Sequence, residues 1–334
     1  MSDRDLAIEA FLTRAGWAGA ARRRLAGDAS FRRYERVTGR QGRAMLMDAP
    51  PPQEDVHPFL LVAEHLRALG YSAPAILAED RAQGLLLLED FGDDTFTRLL
   101  AAGADETQLY ALAVDLLIDL HRHPRAAAAA LPPYDEARLL TEASLLTDWY
   151  LPAIGAPPPA EAREEYLALW RAAFAVFADA PPTLVLRDYH VDNLMRLAGR
   201  SGVAACGLLD FQDAVLGPAA YDLVSLLEDA RRDVTPAVIA AMRARYAAAF
   251  PGLDRTQFEA AYAVLGAQRN AKIVGIFTRL MVRDKKPHYL AHIPRVWRLL
   301  EGDLAHPALA DLRAWFDRRI PRERRLVPQV AVPA

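Results

Sequence analysis

Leu186-Arg187-Asp188-Tyr189-His190-Val191-Asp192-Asn193 is followed, after the turn Gly199-Arg200-Ser201-Gly202, by Leu208-Leu209-Asp210-Phe211-Gln212-Asp213. A short apolar strand, 183–186, leads in, and 193–197 and 203–209 flank the glycine-bounded turn as the two arms of a β-hairpin. A hairpin brings its ends together. Asp188 and Asn193 before it and Asp210 after it are therefore expected to converge. Two carboxylates and a carboxamide oxygen are hard donors of the kind Mg²⁺ takes alongside substrate phosphates. A carboxylate not spent on metal is suited to accept a hydroxyl proton.

The spacing matches the template for phosphoryl transfer: an Asp as base, an Asn five residues on as metal ligand, and a later Asp as main Mg²⁺ ligand. Asp-x4-Asn alone is a weak signal, because Asp and Asn also form ordinary polar turns. On a strand–loop–hairpin followed by Asp-Phe-x-Asp it is specific. These two runs resemble the aminoglycoside phosphotransferase-like kinases, and the resemblance covers most of the chain. It implies an α/β (α+β) bilobal protein-kinase-like fold, with a small β-rich N-lobe and a larger helical C-lobe carrying the catalytic hairpin. It implies Asp188 as the base, Asn193 and Asp210 as Mg²⁺ ligands, and ATP as phosphoryl donor. Leu186 and Arg187 stand where that family has His-Gly, but neither position supplies the base. Asp213 and Asp222 also match family positions and are expected to brace the catalytic loop by hydrogen bonds.

Toward the N-terminus, a first helix spans 5–16, and 32–47 reads as a hairpin of two or three strands broken at Thr38-Gly39 and Gln41-Gly42. Ala49-Pro50-Pro51-Pro52 ends it. A helix follows over 58–69, then two short buried strands at 75–78 and 84–88. The division is placed at 1–92, a nucleotide-covering lobe, and 93–334, a helical lobe for catalysis and substrate. In the kinase plan, Gly27-Asp28-Ala29-Ser30-Phe31-Arg32-Arg33-Tyr34 is the loop over the phosphates, with Ser30, Phe31, Arg32 and Arg33 as candidate nucleotide contacts. The plan also wants a lysine on the third strand. The chain has three lysines, Lys272, Lys285 and Lys286, all far downstream. Arg32, Arg33 or Arg43, able to hold phosphate oxygens in bidentate fashion, is the expected substitute. Strand alternation lets only one of Arg32 and Arg33 face inward, and Arg33 is slightly favoured. Glu64 is its candidate partner. Leu88-Glu89-Asp90-Phe91-Gly92 is the hinge, with Glu89 and Phe91 at the adenine edge.

Beyond the hinge the chain is helical, over 109–121, 139–149, 161–178 and from about 219 onward; 321–334 reads as a loosely held tail. Gly27–Tyr34, Met47-Asp48-Ala49-Pro50-Pro51, Asp148-Trp149-Tyr150-Leu151-Pro152 and the run from Gln268 to Phe277 resemble the branch that phosphorylates N-acetylmuramic acid and N-acetylglucosamine at the anomeric hydroxyl. That resemblance implies a sugar 1-phosphate for peptidoglycan recycling. Trp149 and Tyr150 offer aromatic faces to a sugar. Arg269, Asn270 and Lys272 form the densest polar cluster on an otherwise apolar helix, and a cation there suits the lactyl carboxylate of N-acetylmuramic acid. His190, inside the catalytic loop, is a further candidate substrate contact. Two alternatives stay open: a kinase for another small alcohol (choline, homoserine, a fructosamine, an aminoglycoside), and a pseudokinase, for which the missing lysine is the argument.

Composition narrows the field. The 334 residues are 52% hydrophobic and 25% charged, with net charge −3, the balance of a globular protein. Neither nucleic acid nor an anionic membrane is an expected partner of such a chain; amino sugar and nucleotide are, and no obligate protein partner is evident. One cysteine, Cys206, no apolar run long enough to span a bilayer and a charged N-terminus give a cytoplasmic expectation.

Overall fold

The computed structural model describes residues 2–25 and 31–329. They form two compact units. The first takes in residues up to Asp119, then His123–Ala129 and Val191–Ala214; the second takes in Leu120–Arg122, Ala130–His190 and the chain from Val215 on.

The first unit begins with α1 (Asp3–Arg14), closed at its start by a capping box in which Ser2 and Asp5 exchange side-chain-to-backbone hydrogen bonds. Strands β1 (Ala21–Arg24), β2 (Arg33–Gly39), β3 (Gly42–Asp48), β4 (Ile76–Asp80) and β5 (Leu85–Glu89) make an antiparallel sheet of order β1-β2-β3-β5-β4. Ile8, Phe11 and Leu12 of α1 pack with Trp17, Val37, Ala44, Leu46, Leu85 and Leu87. β1 is Ala-Arg-Arg-Arg and shows no apolar alternation, so sequence patterning passes over it. Gly84 is obligatory: its φ is +63°, and an added Cβ would lie 1.9 Å from the Ala49 carbonyl oxygen. Helices α2 (His57–Ala68), α3 (Phe96–Ala101) and α4 (Glu106–Arg122) follow.

Hairpin strands β7 (Leu194–Arg196) and β8 (Cys206–Leu208) belong to this unit too. Leu208 N donates to Ser72 O at 2.8 Å, and Ser72 Oγ to Ala204 O at 2.6 Å. Arg196 N donates to Asp94 O at 2.8 Å. These bonds group the hairpin and residues 93–119 with the N-terminal sheet, so the compact units differ from a linear division at residue 92. The hairpin arms are shorter than expected, because 202–205 forms a 3₁₀ turn before β8.

In the second unit, strands β6 (Thr183–Val185) and β9 (Val215–Gly217) pair antiparallel. Helix α5 (Glu136–Leu145) runs through a π turn at Leu146–Tyr150 into the short α6 (Leu151–Ala153), followed by α7 (Ala160–Phe174), α8 (Ala220–Leu227), α9 (Pro236–Ala249), α10 (Arg255–Val282), α11 (Ile293–Leu304) and α12 (Ala310–Arg319). Every residue of α10 from 261 to 275 is buried. α10 approaches α5 closely at Gly275, where an added Cβ would sit 2.3 Å from the Leu145 carbonyl carbon. The expectation of a loose tail over 321–334 is corrected for its described part, 321–329. Arg325 donates to Glu301 at 2.5 Å and to Asp317 at 2.9 Å, and Leu326 O accepts from Tyr150 Oη at 2.7 Å. No helix among the described residues is long and apolar enough to cross a membrane. The expected sequence of β-rich first part and helical second part is what is found.

Candidate active site

In the first unit, ladder pairing of β7 with β8 positions Asn193 and Asp210. Leu209 N donates to Asn193 O at 2.9 Å, closing the base of the hairpin. Asn193 Nδ2 then lies 3.4 Å from Asp210 Oδ2, and Gln212 Nε2 donates to Asp210 Oδ1 at 2.9 Å. Asp210 has φ +56°, a left-handed conformation sparsely used by non-glycine residues and enriched where side-chain direction matters. Phe211 is buried and stacks on Phe59 with centroids 5.0 Å apart. Asp210 itself is exposed, as is Asp213 on the turn that follows. No group of three or more His, Cys, Asp or Glu suited to a metal occurs among the described residues. Asn193 and Asp210 instead bring together one carboxamide and one carboxylate, the sparse hard-oxygen set that suits Mg²⁺ completed by phosphate oxygens and water.

The second unit fixes the loop that carries Asp188. β6 ends at Val185, and the backbone turns sharply: Arg187 has φ +69°, and Asp188 N donates to Leu186 O at 2.9 Å. Asp222, fully buried on α8, holds the turn. Its two oxygens accept from Leu186 N at 2.6 Å and from Arg187 N at 2.8 Å. Ser225 Oγ, one helical turn on, donates to Arg187 O at 3.0 Å. Burial pushes the Asp222 carboxyl up to about 7 against the pull of those N–H groups. Asp222 thus accepts from two successive backbone N–H groups just before Asp188. Asp188 is half-buried, and His190 is buried with Nε2 3.4 Å from Arg231 Nη1.

Arg187 occupies a backbone conformation that glycine would adopt freely, and its side chain is engaged. It pairs with Glu142, which also accepts from Tyr134 Oη and, at 3.1 Å, from Lys272 Nζ. Lys272 Nζ donates at 2.9 Å to Tyr221 Oη as well, and the Arg187 guanidinium lies 5.5 Å from the Tyr134 ring centroid. Burial alone would raise the Glu142 carboxyl, but Lys272 and Arg187 outweigh it and hold it below its ordinary value.

Several expected substrate contacts are placed elsewhere. Tyr150 is fully buried, with its hydroxyl bonded to Leu326 O and accepting from Trp297 Nε1 at 3.1 Å. Trp149 is half-buried within the π turn. Arg269, Asn270 and Lys272 are buried. Arg269 donates to Glu228 O at 3.3 Å; Asn270 Nδ2 donates to Glu228 Oε2 at 2.8 Å and Asp303 Oδ2 at 3.0 Å. The reading of this trio as a carboxylate receptor is corrected: a helix apolar on every side is a core helix, and its polar groups are paired inside.

On the small sheet, Ser30 lies outside the described residues. Phe31 is 68% exposed, and its N–H donates to Glu54 Oε1 at 3.1 Å. Arg33 is exposed on β2, whereas Arg32 is half-buried and donates to Glu54 Oε2 at 2.9 Å. The slight preference for Arg33 is therefore reversed. Burial lowers the Arg32 pKa, but Glu54, Tyr34 and Asp210 outweigh it and leave it raised, so Arg32 feels the charge of Asp210. Glu64 is exposed and makes no ion pair among the described residues; the carboxylate that meets the arginine is Glu54. Glu54 follows a proline run and has no periodicity to mark it.

At the hinge, Glu89 N donates to Ala75 O at 2.8 Å, and the Glu89 carboxylate pairs with Arg200 of the hairpin turn. The Arg200 guanidinium lies 5.2 Å from the Phe91 ring centroid. Sequence reasoning missed Arg36. It is buried on β2 and donates to Asp90 at 3.0 Å, to Gly92 O at 2.9 Å and to both oxygens of Asp93 at 3.0 Å. Period-two alternation with Tyr34 was the signal that it faces inward.

The chain is similar to known phosphotransferases. Residues 21–258 match the family described as "Phosphotransferase enzyme family". An "N-acetylmuramate/N-acetylglucosamine kinase" of Caulobacter vibrioides is 41% identical, over 97% of this chain and 99% of the relative. One of the same name from Pseudomonas aeruginosa is also 41% identical, over 85% of this chain and 84% of the relative. Among solved structures, a choline/ethanolamine kinase family protein from Mesorhizobium loti superposes with TM-score 0.64 at 15% identity, covering 93% of this chain and 98% of that one. A streptomycin–ATP–APH(2")-IIa ternary complex gives TM-score 0.58 at 15% identity, over 92% and 98%. The fold is protein-kinase-like, as expected.

Proposed function

The chain belongs to the phosphotransferase enzyme family, and from that premise we propose that it is an ATP- and Mg²⁺-dependent kinase for N-acetylmuramic acid and N-acetylglucosamine. The transfer is to the anomeric hydroxyl, and the product is a sugar 1-phosphate for peptidoglycan recycling in the cytoplasm. The observation that carries the reading is the built catalytic segment: a loop at Asp188 pinned by Asp222, followed by a hairpin that sets Asn193 beside Asp210. Amino sugars are favoured over other alcohols by the relatives' names, at 41% identity over nearly the whole chain.

In this mechanism Asp188 orients the sugar hydroxyl and accepts its proton as the oxygen attacks the γ-phosphorus. The new bond is sugar oxygen to phosphorus; the bond that breaks joins phosphorus to the β–γ bridging oxygen, which leaves on ADP. Asn193 and Asp210 are the metal ligands, and Mg²⁺ bound there supplies positive charge against the charge developing on the phosphoryl oxygens. Arg32, steadied by Glu54, takes the place of the absent lysine and holds phosphate oxygens. In functional terms residues 1–92 cover the nucleotide, with Glu89 and Phe91 at the adenine edge, and 93–334 provide catalysis and substrate binding. Asp213 supports the hairpin end.

The test is Mg²⁺-dependent ADP release with N-acetylmuramic acid, N-acetylglucosamine, glucose, choline and kanamycin in parallel. Turnover confined to the two N-acetylated sugars is expected. Turnover with choline or kanamycin instead would overturn the substrate reading and keep the Asp188 chemistry. Nucleotide binding with no turnover of any acceptor would favour a pseudokinase.

A further inference from the structure

Helix α8 carries the residues that hold the catalytic loop, and it ends on a buried carboxyl. Glu228 follows Leu227, is buried, and donates its N–H to Val224 O at 2.8 Å. Asp303 of α11 is buried as well. Between them stands Asn270 of α10, fully buried, whose Nδ2 donates to Glu228 Oε2 at 2.8 Å and to Asp303 Oδ2 at 3.0 Å. Two carboxyl oxygens on one amide nitrogen are close neighbours, and the two carboxyls are within hydrogen-bonding reach of each other. On the α10 side there is no free space: a Cβ added at Gly266 would lie 2.7 Å from Asp303 Oδ1.

Among the described residues neither carboxyl makes an ion pair. The charged and titratable groups around the pair are engaged in other ways. Arg269 of α10 donates to the backbone oxygen of Glu228 at 3.3 Å. Arg243 of α9 pairs with Glu259, and its guanidinium lies 4.3 Å from the Tyr262 ring centroid. Tyr262 of α10 faces Glu228 with a hydroxyl that burial keeps neutral. Asp229, next in the chain, is a further buried carboxyl, and accepts from Arg231 N at 2.7 Å. Two ionised carboxylates side by side here would bear both desolvation and mutual repulsion. Burial lifts the Asp303 carboxyl well above its ordinary value and the Glu228 charge lifts it further; burial raises Glu228 too, against the pull of Asn270. Such a pair titrates as a unit.

We infer that Glu228 and Asp303 share one proton at neutral pH, and that this proton fastens the end of α8 to α10 and α11, an alkaline-sensitive joint on the helix that braces the catalytic loop. The inference is independent of which alcohol the enzyme phosphorylates. In the unfolded chain such carboxyls lose their protons from about pH 4 upward. The native state therefore holds the extra proton, which favours folding at low pH, and this contribution is lost as pH rises through the folded pair's own value. The experiment follows denaturant unfolding of the full chain against pH in the wild type, Asp303→Asn and Glu228→Gln. In the wild type the shared proton adds up to about tenfold per pH unit to the rise of the unfolding constant. Each variant leaves one carboxylate hydrogen-bonded to an amide and should remove that increment; Asp222, which also titrates, is unchanged in both. Infrared difference spectra at neutral pH, wild type minus variant, should show the same single protonated-carboxyl C=O band lost in either variant. Where one variant fails to fold, the other reads the same proton, because either removes it. Parallel pH curves, or no band lost in either variant, would overturn the inference. A band lost in one variant and kept in the other would place the proton on one residue alone and overturn the sharing.

Discussion

Residues 90–92, just after β5, and residues 186–190, just after β6, are both short, irregular segments gripped by an arginine and a carboxylate, yet the grips run in opposite directions. At the hinge, Arg36 reaches in from β2 and gathers Asp90, Gly92 O and Asp93 around its guanidinium. At the catalytic loop, a buried carboxylate, Asp222, reaches in and holds backbone N–H groups, while the loop's own Arg187 reaches out to Glu142. The first arrangement gathers two carboxylate side chains and one backbone carbonyl around a side chain. The second fixes the peptide path itself, next to the residue proposed to take a proton. A base needs angular control that side-chain pairing at a distance does not give.

The largest break in this comparison is Asp188→Asn. It should lower kcat by about a thousandfold or more while leaving the melting temperature within a few degrees, because the loop's grip is untouched. Steady-state ADP release and a thermal melt read the two effects, and retained activity would remove Asp188 as the base. Asp222→Asn comes next. One loop N–H loses its acceptor, and the loop shift should reduce kcat by about a hundredfold, with about 1–3 kcal/mol lost in denaturant unfolding.

Asp222 also makes a pH prediction. Its folded pKa, about 7, lies above that of the unfolded chain. Between roughly pH 4 and 7 the native state therefore binds the extra proton, so this residue's contribution favours folding at low pH and is lost as pH rises through 7. The slope of unfolding free energy against pH should be less negative in Asp222→Asn than in the wild type across that window; parallel curves would contradict the shift.

Glu142→Gln strands Arg187 and Lys272 without their shared counter-ion. It should cost about 3–5 kcal/mol of stability, as breaking a buried pair does, and chemical denaturation measures it. The hinge should yield more mildly. Asp90→Asn is expected to raise the nucleotide KM by up to about tenfold with kcat at saturation nearly unchanged; a loss confined to kcat would mean that the two grips do the same work. Smallest is Arg163→Ala. It removes the partly exposed pair with Asp148, at 2.9 Å, and should change stability by less than about 1 kcal/mol.

What was legible in the sequence follows the range of the physics involved. The Asn193–Asp210 pairing was readable because a hairpin is specified by its own turn and by a few residues on either side. The helical lobe's order was readable from periodicity. Three things were not. Arg32 and Arg33 were known to alternate, but which one faces inward depends on Glu54, brought in by a proline-rich loop without pattern. β1 is three arginines after an alanine, placed by pairing with β2 and by the Arg22 guanidinium, which donates to Glu35 at 2.7 Å and to Glu9 at 2.8 Å. Arg269, Asn270 and Lys272 looked like a polar face, because a single helix does not reveal that its neighbours close over it. Their partners, Glu142, Glu228 and Asp303, are 33 to 130 residues away.

The measurement that bears most directly on the account is the ³¹P–¹H NMR spectrum of the product formed from N-acetylglucosamine and ATP. Asp188-assisted transfer to the anomeric hydroxyl predicts phosphorus coupled to the anomeric proton. Coupling to the C6 protons instead, or no phosphorylated sugar at all, would contradict it.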